Sequence, residues 1–160
     1  MRKILFRAWC KETKQMYRHI DTVAWGLGGN LLGCKSIIDI CEDHMMHNDY
    51  DGKENFYLMQ FTGILDSNNI PIFEGDFCKV IIPDKNGTPI TRVVAEVQYD
   101  NASAAFKLGY MTEPNVWKNM LFASDILIEI IGNIYETDFK LLMKSYSRDF
   151  QIDSIFDEPK

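Results

Sequence analysis

The chain has 160 residues, 46% of them hydrophobic and 25% charged, with a formal net charge of −6. That is enough apolar material for one domain over 1–160, or two small subdomains sharing a core, without a disulfide or metal staple. The acidic balance argues against broad phosphate-backbone binding, which needs clustered Lys and Arg, and no apolar run approaches the length that spans a bilayer.

The first residues begin like a signal peptide, but Arg7 interrupts the apolar run at once. A cytoplasmic protein is therefore expected. Its cysteines, Cys10, Cys34, Cys41 and Cys78, are scattered with no CxxC, and a reducing cytosol keeps them as thiols. Ile4, Phe6 and Ala8 alternate with Leu5, Arg7 and Trp9 as in a strand. Lys11 to Gln15 is a polar turn, and extended structure resumes at Met16, so the opening is a β-hairpin. Arg2, Lys3, Arg7, Lys11 and Lys14 are the densest local basic cluster, and a solvated strand face accounts for them equally well.

Gly26-Leu27-Gly28-Gly29-Asn30 is rich in glycine but lacks the Lys-Ser/Thr of a phosphate-binding loop, and it fails the Gly-x-Gly-x-x-Gly spacing. It reads as a plain loop. Ile37 to Cys41 is too short for periodicity to separate strand from helical turn. Cys34, Cys41, His44 and His47 are zinc-capable types, but their spacing matches no zinc pattern. The expectation is therefore no metal and no cofactor, with these four as the residues that a metal would need.

Leu58 to Val80 carries the densest local instructions: strand, turn, strand, tight turn, strand. Gly63 ends the first of these strands, at a bend or bulge where a side chain would clash. Asp66-Ser67-Asn68-Asn69 is a turn in which short polar side chains bond their own backbone and Asn tolerates positive φ. Pro71 cannot donate to a ladder, so it belongs at a sheet edge or a strand start. Glu74-Gly75-Asp76 forces a second turn with Gly75 at positive φ. Glu74 and Asp76 could be paired for acid–base work, but Asp beside a turn Gly more commonly caps backbone N–H groups.

Pro83 to Pro89 is a hairpin loop with Asn86-Gly87 at its tip. Val93, Ala95, Val97 and Tyr99 then share one strand face. Ala104 to Met111 is a further strand, and Val116 to Phe122 is ambiguous. Ile126 to Ile131 reads as the most buried strand of the chain, bent by Gly132-Asn133. Phe139, Leu142, Met143 and Tyr146 follow helical spacing, with Thr137 as N-cap. The fold expected is mainly β: a mixed sheet folded on itself, an SH3-like barrel-like part, and a short C-terminal helix. Subdomains over 1–72 and 73–146 would precede a tail over 147–160.

Leu58-Met59-Gln60-Phe61-Thr62-Gly63, then Asp66, then Ile72-Phe73-Glu74-Gly75-Asp76-Phe77, resembles the signature of the YopX-like family. Phe6 to Met16 is similar to that family's opening, and Ile131-Gly132-Asn133-Ile134-Tyr135-Glu136 to its closing motif. Cys10 stands where Asp is usual, and Thr137-Asp138-Phe139 replaces an Asn-Pro-Glu-like continuation. The resemblance implies a phage- or prophage-borne protein with a β-rich fold and no established activity. It marks Gly63, Asp66, Glu74, Gly75, Asp76, Gly132 and Asn133 as structural motif positions and supplies no catalytic residues.

A Cys41–His44 pair lacks an orienting third group and an oxyanion loop, so no enzyme is expected. The leading expectation is a binding or regulatory module that engages an unidentified protein. Nucleic-acid binding through stacking on Tyr99, Phe106 and Tyr110 is the runner-up, although core packing explains those aromatics better. A structural role in a phage assembly is the third reading. Phe150, Ile152, Ile155 and Phe156 interleave with acidic residues in the tail, which suggests that it covers either the chain's own core or, as a part in a homo-oligomer, another subunit.

Overall fold

The computed structural model describes residues 3–25, 31–36, 46–47, 56–84, 86, 88–113 and 116–150. The chain divides into two compact units, Met1–Gly63 and Ile64–Lys160. The fold is mainly β, with two antiparallel sheets, one of them curled as a half-barrel.

In the first unit β1 (Phe6–Cys10) lies between β2 (Gln15–Trp25) and β5 (Phe56–Leu65). The expected opening hairpin is present, with Cys10 opposite Gln15 and Lys14 at φ 53° in the turn. β2 runs on to Trp25, further than the sequence suggested. It pairs with β3 (Leu31–Ser36), and β3 pairs with the short β4 (Met46–His47). Ala8, Ile20 and Phe56 form the buried centre, with Phe6, Tyr17 and Leu58 packed around them. Gly63 does not end β5: the strand passes through it at φ 92°, a conformation that costs glycine little.

The second unit holds β6 (Pro71–Phe73), β7 (Asp76–Pro83), β8 (Pro89–Asp100), β9 (Ala105–Glu113), β10 (Val116–Met120) and β11 (Leu127–Asn133). Pro71 opens β6, the last strand in its sheet's order, where its missing N–H is harmless. The other sheet has the order β10-β9-β8-β7-β11. Alternation along β8 sends Ala95 and Val97 into a core with Cys78, Val80, Leu108, Ile128 and Ile72. Val94 points to the opposite face and is equally buried, because α1 (Phe139–Phe150) covers it with Phe139, Leu142, Met143 and Tyr146. Those four are the residues whose spacing predicted the helix.

Two local expectations are corrected. Asp138, rather than Thr137, caps α1: its Oδ1 accepts the amides of Lys140 at 2.8 Å and Leu141 at 3.2 Å. β11 is an edge strand and only half-buried, with Leu127 56% exposed while Ile128 is 6% exposed. Its unbroken apolar run reflects one packed face plus an exposed leucine, where a central strand would be covered on both faces. The helix also takes in the first residues of the expected tail, and residues 151–160 lie outside the described residues.

Candidate functional site

Five places in the second unit gather the polar and exposed apolar groups: two capped turns, an open cleft, a polar row on one sheet face, and an edge strand.

The first turn is built on Asp66, which is 5% exposed. Its Oδ1 accepts the amides of Asn68 at 2.8 Å and Ile70 at 2.9 Å, and its Oδ2 accepts that of Ile130 in β11 at 3.2 Å. Asn69 takes φ 63°, as its place in the turn requires. Burial pushes the Asp66 carboxyl up, but the amides of Ile70, Ile130 and Asn68 outweigh it and hold the group below its ordinary value. Ser67 donates both its amide (2.7 Å) and its hydroxyl (2.8 Å) to the Ile128 carbonyl. The turn therefore occupies the outer edge of β11.

The second turn joins the two remaining motifs. Gly75 has φ 77°, and the Asp76 Oδ2 accepts the Phe73 amide at 2.8 Å. Asp76 is 1% exposed and lies opposite Asn133 across the β7–β11 ladder. Gly75 donates its amide to the Val97 carbonyl at 2.8 Å and accepts the Ile134 amide at 2.9 Å. The Asn133 Oδ1 accepts the amides of Tyr135 (2.9 Å) and Glu136 (3.0 Å), and its amide nitrogen donates to Glu136. The Thr137 hydroxyl accepts the Asn133 amide at 3.2 Å. It sits where a side chain at 132 would start: a Cβ on Gly132 would collide with Thr137 Oγ1. Asp66, Asp76 and Asn133 thus direct carboxylate or amide oxygens at main-chain N–H groups, the geometry of caps. Glu74 is half-buried in the same turn.

The cleft has a volume of about 420 Å³ and lies among Ile64, Leu65, Ser67, Phe122, Ser124 and Ile126. Leu65 at its rim is 49% exposed. On the face of β8 that carries Val94, Gln98 and Asn119 lie over Gly109, where a Cβ would meet Gln98 Oε1 at 2.9 Å and Asn119 Oδ1 at 3.3 Å. Burial pushes the Glu96 carboxyl up, and a hydrogen bond with Gln98 only partly offsets it.

β10 pairs with β9 and ends the sheet's strand order. Val116, Trp117, Lys118 and Asn119 are all exposed along it. The Trp117 ring is stacked with Phe139 of α1, with centroids 6.3 Å apart, and Phe139 in turn lies 5.0 Å from the Phe77 ring. Sequence reasoning left this segment undecided. Val116-Trp117-Lys118-Asn119-Met120 has no apolar–polar alternation, so periodicity offered no strand signal there.

Of the metal-capable residues, Cys41 and His44 lie outside the described residues. Backbone pairing sets Cys34 opposite Met46 and His47 opposite Gly33. Among the described residues no group of three metal-ligating side chains is gathered, and no helix is long and apolar enough to cross a membrane. Phe106 and Tyr110 pack against the core, as expected of structural aromatics, while Tyr99 is 43% exposed and meets Phe106 edge-on at 5.2 Å.

A family model described as "YopX protein" matches residues 5–142. The chain is similar in structure to protein EF1440 from Enterococcus faecalis, with a TM-score of 0.53 and 23% identity, over 85% of this chain and 96% of that one. No curated protein matches the chain.

Proposed function

The chain belongs to the YopX family, and from its second unit we propose a non-catalytic binding or regulatory module that engages another protein. One contrast carries this reading. The motif residues Asp66, Asp76 and Asn133 direct polar atoms at their own backbone, whereas Trp117, Leu121 and Leu127 present large apolar surface outward, at 47%, 61% and 56% exposure. Exposed apolar surface suits a protein partner better than a small polar substrate. The module is of phage or prophage origin and works in the cytoplasm.

The test is cross-linked capture from a host extract with the full chain as bait, followed by reconstitution with the purified partner. A stoichiometric complex with one protein is the expected result. Capture of no protein, or a salt-sensitive shift of single-stranded DNA or RNA instead, overturns the reading. The nucleic-acid alternative is disfavoured by the net charge of −6 and by the core packing of Phe106 and Tyr110. Homo-oligomerisation through the acidic tail is read by sedimentation: truncation after Tyr146 should lower the mass without loss of β signal.

A further inference from the structure

We propose that β10 is a strand-addition site for an extended acidic–apolar segment of a partner protein. This rests on the protein-binding reading and names its surface and its ligand chemistry.

An edge strand presents main-chain donors and acceptors that another extended chain can pair with. The sheet has two edges, and they are treated differently. The β11 edge is occupied by the chain itself: Ser67 holds the Ile128 carbonyl, and Asp66 accepts the Ile130 amide. Among the described residues β10 pairs with β9 alone. Beyond an irregularity between Val116 and Trp117, its backbone keeps one register, from Trp117 opposite Met111 to Met120 opposite Leu108.

The side chains say what kind of strand fits. Alternation puts Trp117 and Asn119 on one face and Lys118 on the other. Trp117 stacks on Phe139, so an added strand would extend an aromatic ledge already packed on the sheet. Residues opposite Trp117 and Asn119 should be apolar or β-branched, since such cross-strand pairs with aromatics are favourable. The residue opposite Lys118 should be a carboxylate. A second copy of β10 centred on Lys118 would set two ammonium groups against each other, which disfavours self-pairing. The same lysine that blunts the edge toward its own kind selects a carboxylate-bearing strand.

The experiment uses the full chain and two fluorescein-labelled peptides, Thr-Ile-Asp-Ile-Thr and Thr-Ile-Lys-Ile-Thr, followed by fluorescence anisotropy. The Asp peptide should bind more tightly. Lys118→Glu should weaken it by roughly five- to tenfold and shift the preference to the Lys peptide. Lys118 is an exposed strand residue, so an unchanged circular dichroism spectrum and thermal midpoint establish that the variant folds. Binding indifferent to the reversal overturns the assignment, as does no binding by either peptide. Displacement of the Asp peptide by oligothymidine, or a dimer whose formation competes with it, overturns it too. A captured partner retained in full by Lys118→Glu sinks the edge site but leaves the protein-binding reading standing, whereas capture of no partner sinks that reading itself.

Discussion

The turns at Asp66 and Asp84 share one set of hydrogen bonds in two settings. Each Asp accepts the amides two and four residues ahead with one oxygen: Asn68 and Ile70 in the first, Asn86 and Thr88 in the second. Each also closes a backbone bond across the turn, Asp66 N to Ile70 O and Asp84 N to Thr88 O. Only at Asp66 is the carboxylate itself buried and the turn tied to a distant strand, through its second oxygen on Ile130 and through Ser67 on Ile128. One short motif can therefore serve as a hairpin loop or as a clasp on the neighbouring sheet edge. What decides is burial and the partner strand, since the local hydrogen bonds are alike.

The sharpest test removes the carboxylates in turn. Asp66→Ala removes the acceptor of three part-buried backbone amides and should cost about 1–3 kcal/mol in urea unfolding. A loss no greater than that of Asp84→Ala would erase the distinction. Acid should act on the same group. Asp66 sits below its ordinary pKa in the fold, so its stabilisation is complete above the unfolded pKa and is lost as pH falls through the lower, folded one. The acid limb of stability in Asp66→Asn should then be shallower than in the wild type below about pH 4. Asp100 contributes to what remains of that limb: Lys107, Ser103 and the Ala102 amide hold it at about 2.

Asp84→Ala, at an exposed loop, should cost only about 0.5–1 kcal/mol, because water replaces the lost acceptor. Glu96 completes the series with the opposite sign. It is desolvated like Asp66 but has only Gln98 to offset burial, so its carboxyl is pushed up. Its penalty is absent below the unfolded pKa and complete above the folded one. Glu96→Gln should therefore be neutral to slightly stabilising at pH 7, by less than about 0.5 kcal/mol once solvent screening is counted. A clear destabilisation would show that the charge is needed on that face.

The parts of the fold that were legible are those where one periodicity decides. The two-residue period of β8 named its core face, and the spacing of Phe139, Leu142, Met143 and Tyr146 named the helix face. The positive φ of Gly75 followed from turn chemistry that only glycine meets cheaply. The cap of α1 was not legible, because Thr137 and Asp138 are both good caps and adjacent. The choice was made by the Asn133 amide, which engages the Thr137 hydroxyl. The edge position of β11 was hidden as well, since no window of sequence reveals that a turn from far upstream occupies its outer side. At the candidate site the capping residues could be read, but Trp117 and Lys118 could not. Their exposure depends on where the sheet ends, which is a property of topology.

The bond from Ile130 to Asp66 has a consequence in time as well as in energy. An outward amide on an edge strand ordinarily exchanges with deuterium within the lifetime of a local fluctuation, because nothing but water meets it. Here a side chain stands in for the missing strand. The Ile130 amide should exchange as slowly as its ladder-bonded neighbours for as long as the clasp stays shut. Its exchange rate then becomes a clock for the opening of that clasp, readable at a single position and separable from unfolding of the sheet behind it.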